Sequence, residues 1–125
     1  MVSAAETRKL AASIEGAADE STEARLVFSI GGKGFAWTYM RRPAPKAKRE
    51  PDLKVLAVRC TLESKQLLIE AAPNIYFDDD HYRGYPAVLT RLTAISRKEL
   101  SALLKVAAEL KRPRPKAAKR KRAAR

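Results

Sequence analysis

Arg25-Leu-Val-Phe-Ser-Ile-Gly-Gly-Lys-Gly-Phe-Ala-Trp-Thr-Tyr-Met40 is two runs of bulky apolar residues split by glycines around one lysine. Leu26, Phe28 and Ile30 alternate to one side of a strand, and Phe35, Trp37 and Tyr39 do the same in the next. Glycine supplies the positive φ angles of a tight connection. The stretch therefore predicts a β-hairpin. Gly31-Gly-Lys-Gly34 is not a phosphate loop, because it lacks the Gly-Lys-Ser/Thr ending and the helix that should follow.

Working outward, Ser3 with Glu6 is a capping-box pattern, and Leu10, Ala11 and Ile14 recur at helical spacing. This predicts a first helix over 4–15, with Gly16 as its stop. Residues 16–24, GAADESTEA, read as a loop. After the hairpin, RRPAPKAKREPD (41–52) holds three prolines and five basic residues and predicts an extended, exposed loop. Lys54–Cys60 reads as a strand. Thr61 caps a helix through Leu67, Leu68 and Ala71 toward Pro73. Asn74–Phe77 reads as a brief edge strand, Asp78–Pro86 as a loop and Ala87–Thr93 as a β-branched strand. Ser96 with Glu99 repeats the capping box. Leu100, Leu103, Leu104, Ala107 and Ala108 stripe a closing helix that ends near Leu110, before Pro113 and Pro115. The order α-β-β-β-α-β-β-α predicts a two-layer α+β fold, with an antiparallel sheet of about five strands and helices on one face. The other face is then partly exposed or covered by a partner.

The charge is uneven. Residues 111–125, KRPRPKAAKRKRAAR, hold nine of the chain's 26 Lys and Arg and none of its 14 Asp and Glu, leaving 17 against 14 for the rest. The reading is one folded domain over 1–110 and a disordered basic tail over 111–125. A cationic block of this kind requires water or a polyanion, which makes nucleic acid the first partner to consider. The single Cys60 excludes an internal disulfide and reads as a buried apolar residue. No apolar run approaches the roughly 18 residues of a membrane span, and Glu6 interrupts any signal sequence. A cytoplasmic protein without cofactor follows, nucleoid-associated if its partner is DNA.

The basic candidates for contacting nucleic acid are Arg41, Arg42, Lys46, Lys48 and Arg49 in the long loop, and Lys111, Arg112, Arg114, Lys116, Lys119, Arg120, Lys121, Arg122 and Arg125 in the tail. Arg91 points to the sheet face away from Val88, Thr90 and Leu92, and Arg59 projects to the same face. Those two either meet phosphate or pair with Glu63 or Glu70. Trp37 and Phe35 read as core, with a stacking platform as the alternative. In the acidic turn, Asp78, Asp79 and Asp80 precede His81, the one histidine. No second His or Cys completes a zinc set, so no metal is expected. An Asx-type hydrogen bond from Asp78 or Asp80 would close the turn. Tyr82 and Tyr85 flank Arg83 and Gly84: the leading reading packs one tyrosine on the sheet edge with Gly84 at a positive φ, and the other reading is an aromatic–basic loop that stacks on bases or sugar, the two being compatible for different tyrosines.

The segment Phe77-Asp-Asp-Asp-His-Tyr-Arg-Gly-Tyr-Pro-Ala-Val-Leu-Thr-Arg-Leu92, with Ser96-Arg-Lys-Glu-Leu100 after it and Gly31-Gly-Lys33 with Phe35-Ala36 before it, resembles the MmcQ/YjbR family of small bacterial proteins. The resemblance covers about residues 3–110. It implies an α+β fold and a DNA-binding role, with His81, Tyr82, Gly84, Tyr85, Pro86 and Arg91 as signature positions. His81 is expected to orient its loop by a hydrogen bond. The long basic loop and the tail depart from the family pattern, and both add positive charge.

Together these features predict a non-enzymatic, phosphate-directed and sequence-indifferent DNA-binding protein, with RNA open as a variant. Nothing in the loop or tail encodes base readout. The alternative is a protein-interaction or dimerisation module whose tail only solubilises or binds polyanions non-specifically. An apolar far face would favour the second reading and Lys/Arg there the first. Oligomeric state stays open.

Overall fold

The computed structural model describes residues 1–113. Its order is α1 (Ala4–Ala12), β1 (Ala17–Asp19), β2 (Val27–Ile30), β3 (Lys33–Arg41), β4 (Glu50–Arg59), α2 (Leu62–Ala71), β5 (Tyr76–Phe77), β6 (Ala87–Arg91) and α3 (Arg97–Lys111). The six strands form one antiparallel sheet ordered β1-β2-β3-β4-β6-β5. The expected α+β class holds, with one more strand than the sequence reading. That strand, Ala17–Asp19, lies where a loop was expected. Its Ala-Ala-Asp composition carries no β signal, and pairing with β2 creates it.

Ser3 caps α1 with the full reciprocal box to Glu6. The helix stops at Ala12, short of the expected 15, and Gly16 follows at φ 85°. Ser96 caps α3 by accepting from the Glu99 amide. The Glu99 side chain does not return to Ser96 but accepts from the Tyr76 hydroxyl. The apolar stripe of α3 buries Leu100, Leu104, Ala107 and Ala108 against the sheet with Phe28, Ile30, Leu56 and Val58.

Two irregularities decide which side chains reach which face. Gly31 (φ 58°) and Gly32 (φ 79°) form the two-residue turn between Ile30 and Lys33. Phe28 then faces Ala36 while Ser29 faces Gly34, so Phe35 is the extra residue of a bulge. The expectation that Phe35 shares a face with Trp37 and Tyr39 is thereby corrected. Phe35 turns to the helix side, fully buried with its ring 6.4 Å from that of Phe28, while Trp37 and Tyr39 face away. Farther along, Thr38 faces Leu56 but Tyr39 faces Asp52, leaving Leu53–Val55 extra on β4.

The loop expected over 41–52 is shorter than expected, because β3 runs to Arg41 and β4 starts at Glu50. Pro51 is tolerated there because the β6 partner of β4 begins only at Val55, so this end of β4 pairs on one side alone. The loop itself is closed by Ala47 N donating to Ala44 O at 3.0 Å, with Lys46 at φ 70°. Pro45 followed by a positive φ is the pattern of a type II turn. The closing helix runs through Lys111, with Arg112 as its cap. The helix thus ends one residue past the expected Leu110. A Cβ on Gly31 would lie 2.3 Å from Pro113 Cγ, so the chain leaves α3 beside the β2–β3 turn.

Candidate functional site

The face of the sheet away from the helices carries the unusual chemistry. Ala57 on β4 and Ala87 on β6 are fully buried small residues, and Tyr82 from the 78–86 loop packs on that part of the sheet with Val55 and Leu89. Trp37, Tyr39 and Phe77 surround it. Trp37 Nε1 donates to Tyr82 Oη at 2.9 Å. Tyr82 and Tyr85 meet edge to face at 5.7 Å, and Tyr39 meets both Tyr82 and Phe77 the same way. The far face is thus partly covered by the chain's own loop. Tyr82 is the tyrosine that packs on the sheet, only 8% exposed, while Tyr85 is 38% exposed and remains available for stacking.

The loop is pinned by a residue the sequence reading passed over. Lys65 of α2 is 4% exposed. Its ammonium donates to the carbonyls of Tyr82 (2.7 Å) and Tyr85 (3.0 Å) and pairs with Asp78 at 3.0 Å. A lysine on a short amphipathic helix reads as solvated. Its place three and four residues before the inward Leu68 and Ile69 was the available signal.

The three aspartates splay to separate partners. Asp78 takes Lys65, Asp80 takes Arg83 at 2.7 Å, and Asp79 accepts from the Tyr39 hydroxyl and from Tyr82 N. Asp78 accepts from the neighbouring Asp79 N at 3.0 Å, within the expected pair, but the carboxylate that closes the turn across three residues is Asp79, which was not expected. Burial and the Asp79 carboxylate push the Tyr39 hydroxyl up to about 12. Burial also raises Tyr82 and the Cys60 thiol, which keeps the latter protonated and a poor nucleophile. His81 is exposed and, among the described residues, its ring makes no hydrogen bond. It packs edge-on against Tyr82 at 5.3 Å, in place of the expected loop-orienting hydrogen bond. Gly84 takes φ 78° as expected.

Arg59 and Arg91 both reach this face. The Arg91 guanidinium lies 4.1 Å over Phe77 and donates to the Pro73 carbonyl. That of Arg59 lies 5.1 Å from the Trp37 ring centroid and 4.8 Å from that of Tyr85. Neither pairs with Glu63 or Glu70. Among the described residues no group accepts a hydrogen bond from Arg59, and its Nε is buried without a partner. The basic loop divides. Arg41 pairs with Glu50 at 3.0 Å and Arg49 donates to the Met40 carbonyl. Arg42, Lys46 and Lys48 are exposed and form no ion pair among the described residues. The Arg49 bond to Met40, next to Tyr39 on β3, sets this loop at the end of the strand that carries Trp37 and Tyr39. Arg112 pairs with Glu109. Arg114, Lys116, Lys119, Arg120, Lys121, Arg122 and Arg125 lie outside the described residues.

On the helix side, a groove of about 400 Å³ runs between α2 and α3 past Cys60, Leu68, Tyr76 and Leu103, rimmed by Leu67 (60% exposed) and Val106 (58% exposed). Among the described residues no cluster of three or more His, Cys, Asp or Glu is arranged to hold a metal, and no helix is long and apolar enough to cross a membrane.

No family model matches the chain. Uncharacterized protein Rv2570 of Mycobacterium tuberculosis and uncharacterized protein Mb2600 of Mycobacterium bovis are each 36% identical over 85 residues, covering 60% of this chain and 64% of theirs. The chain thus spans a little under two thirds of the length of these relatives. The crystal structure of Deinococcus radiodurans protein DR2400, a DUF419 domain, superposes with a TM-score of 0.65 at 17% identity, over 88% of this chain and 78% of that one. That likeness is one of fold.

Proposed function

We propose that this is a non-enzymatic, bacterial DNA-binding protein of the MmcQ/YjbR kind, directed to phosphate and indifferent to base sequence. The observation that carries the reading is the state of the cations around the aromatic face. Arg59 is held by rings, and Arg91 by a ring and the Pro73 carbonyl, instead of by carboxylates. Arg42, Lys46 and Lys48 stand exposed on the adjoining loop. A cation already paired with an acid has to break that pair to meet phosphate, whereas a cation resting on an aromatic ring keeps its donors free. The aspartates that would repel a phosphate are each engaged with a donor of the protein itself. The Lys/Arg-rich segment after α3 adds sequence-independent attraction.

The test is fluorescence anisotropy of a labelled random-sequence duplex across a salt series. Three full-length proteins are compared: wild type, the Arg42→Gln/Lys46→Gln/Lys48→Gln variant, and one with the Lys and Arg of 114–125 changed to Gln. The loop variant is expected to make the log-log salt slope shallower by up to about 3 and the tail variant by up to about 6. Loss of all binding at near-physiological salt in the tail variant alone, with no effect of the loop variant, would reduce the activity to that of a generic polycation.

The rival reading, a protein-interaction or dimerisation module, draws support from the apolar groove between α2 and α3. It expects Leu67→Glu to lower the mass measured by light scattering while leaving duplex binding intact.

A further inference from the structure

We infer that the recess formed by Trp37, His81, Tyr82 and Tyr85, with the Arg59 guanidinium resting against two of those rings, receives one unpaired nucleotide of a single strand, so that the protein prefers unpaired over duplex nucleic acid. This deepens the proposed function and rests on it.

The recess measures about 450 Å³, within the roughly 300–1,000 Å³ of small-ligand sites. Its walls are π surfaces held in place. Trp37 is fixed by its hydrogen bond to Tyr82 Oη, and Tyr82 by burial. Tyr85 stands at the rim, more exposed than Tyr82 and edge-on to both Tyr82 and Trp37. The groups without protein partners, among the described residues, can all donate. No group accepts from the Arg59 guanidinium, whose Nε is itself buried, the Tyr82 hydroxyl accepts from Trp37 and keeps its own proton to donate, and the His81 ring bonds nothing. Arg59 is oriented before any ligand arrives, because two aromatic rings flank it.

A site of flat aromatic walls with an oriented cation and spare donors fits a ligand with a planar ring and an anionic oxygen cluster. An aliphatic side chain would leave Arg59 unmatched, and a bare phosphate would leave the rings unmatched. A nucleotide satisfies both. Bases stacked in a duplex present only their edges, so an unpaired strand is the form that can insert one.

The chain has one tryptophan and it lines the recess, which separates this site from the tail in a single experiment. The full-length protein is titrated at near-physiological salt with oligo-dT, with a duplex of equal length and with dTMP. Trp37 emission reports the recess and anisotropy of labelled oligonucleotide reports total binding. Oligo-dT is expected to quench Trp37 strongly and the duplex only weakly. Tyr85→Ala and Arg59→Gln should each weaken oligo-dT binding by about tenfold, and Tyr85→Ala should leave duplex binding within about twofold. Tyr85→Phe keeps the ring and should retain affinity, which guards against a fold defect in Tyr85→Ala. Equal binding of both polymers with unchanged Trp37 emission overturns the recess and leaves the polyanion reading standing. Quenching by dTMP as strong as by oligo-dT overturns the strand and makes the recess a free-nucleotide site. Binding of none of the three overturns both readings together.

Discussion

The two sides of one sheet are built on different physics. On the helix side, Phe28, Phe35, Leu56, Val58, Val88, Leu100 and Leu104 are packed dry. Stability there follows apolar area and depends little on which donor meets which acceptor. On the far side, Ala57, Ala87 and Leu89 give a flat floor, and an aromatic–arginine layer is held over it by individual contacts. Those contacts are Lys65 to the loop carbonyls, Trp37 to Tyr82, and Tyr39 to Asp79. A side held by area tolerates losing any one polar contact. A side held by contacts comes apart when its pin is removed.

Removing bulk from the helix side should give the largest effect. Phe35→Ala is expected to cost about 3–5 kcal/mol in urea unfolding, because the bulge that turns Phe35 inward leaves nothing to refill its place. If Phe35→Ala costs less than the change at Lys65 described next, the contrast between the two sides is wrong.

Lys65→Met should cost about 2–3 kcal/mol, since the carbonyls of Tyr82 and Tyr85 lose their donor while Asp78, partly exposed, can rehydrate. Its distinguishing sign is spectroscopic. Trp37 emission should shift to the red as the 78–86 loop lifts, whereas Phe35→Ala at equal fractional folding should not move it.

Tyr82→Phe keeps the ring and removes the acceptor of Trp37 Nε1. A loss of about 1 kcal/mol is expected by the same unfolding assay. A neutral result would mean that water replaces the hydroxyl and that the layer is wetter than its packing suggests.

The smallest effect is a pH dependence to which the far side contributes through Tyr39. The Tyr39 hydroxyl titrates at about 12 in the folded protein against an ordinary value of 10.0. The stability this contributes is therefore fully present below about pH 10 and is lost as pH rises through about 12. Unfolding free energy should decline across that window, and Tyr39→Phe should make the decline shallower. It will not abolish the decline, because Tyr82 and Tyr76 are raised as well. An unchanged slope in Tyr39→Phe would remove Asp79 as the partner that matters.

Local rules were readable where local energy decides. Ser3, Thr61 and Ser96 name their helix starts because each side chain accepts from an amide a few residues along. Gly31-Gly32 names the turn because positive φ suits glycine. Leu100, Leu104, Ala107 and Ala108 name the buried stripe by their period. The projection of Arg59 and Arg91 to the far face was legible from strand alternation alone. Alternation then failed at Phe35, where one extra residue reverses the side, since a bulge is set by register against the partner strand. β1 was missed because its stability comes from the edge of β2 and not from its own residues.

The sequence by itself determined the α+β order, the caps, the hairpin turn and the concentration of positive charge after α3, because each depends on residues close in the chain. Only the tertiary structure decided that Lys65 is buried, that the three aspartates go to three different partners, and that Arg59 rests between Trp37 and Tyr85 without an acid. Apart from Asp80 with Arg83, those contacts join residues 13 to 40 positions apart. No local propensity specifies them, and they form only when the sheet brings β3, β4 and the 78–86 loop onto one face.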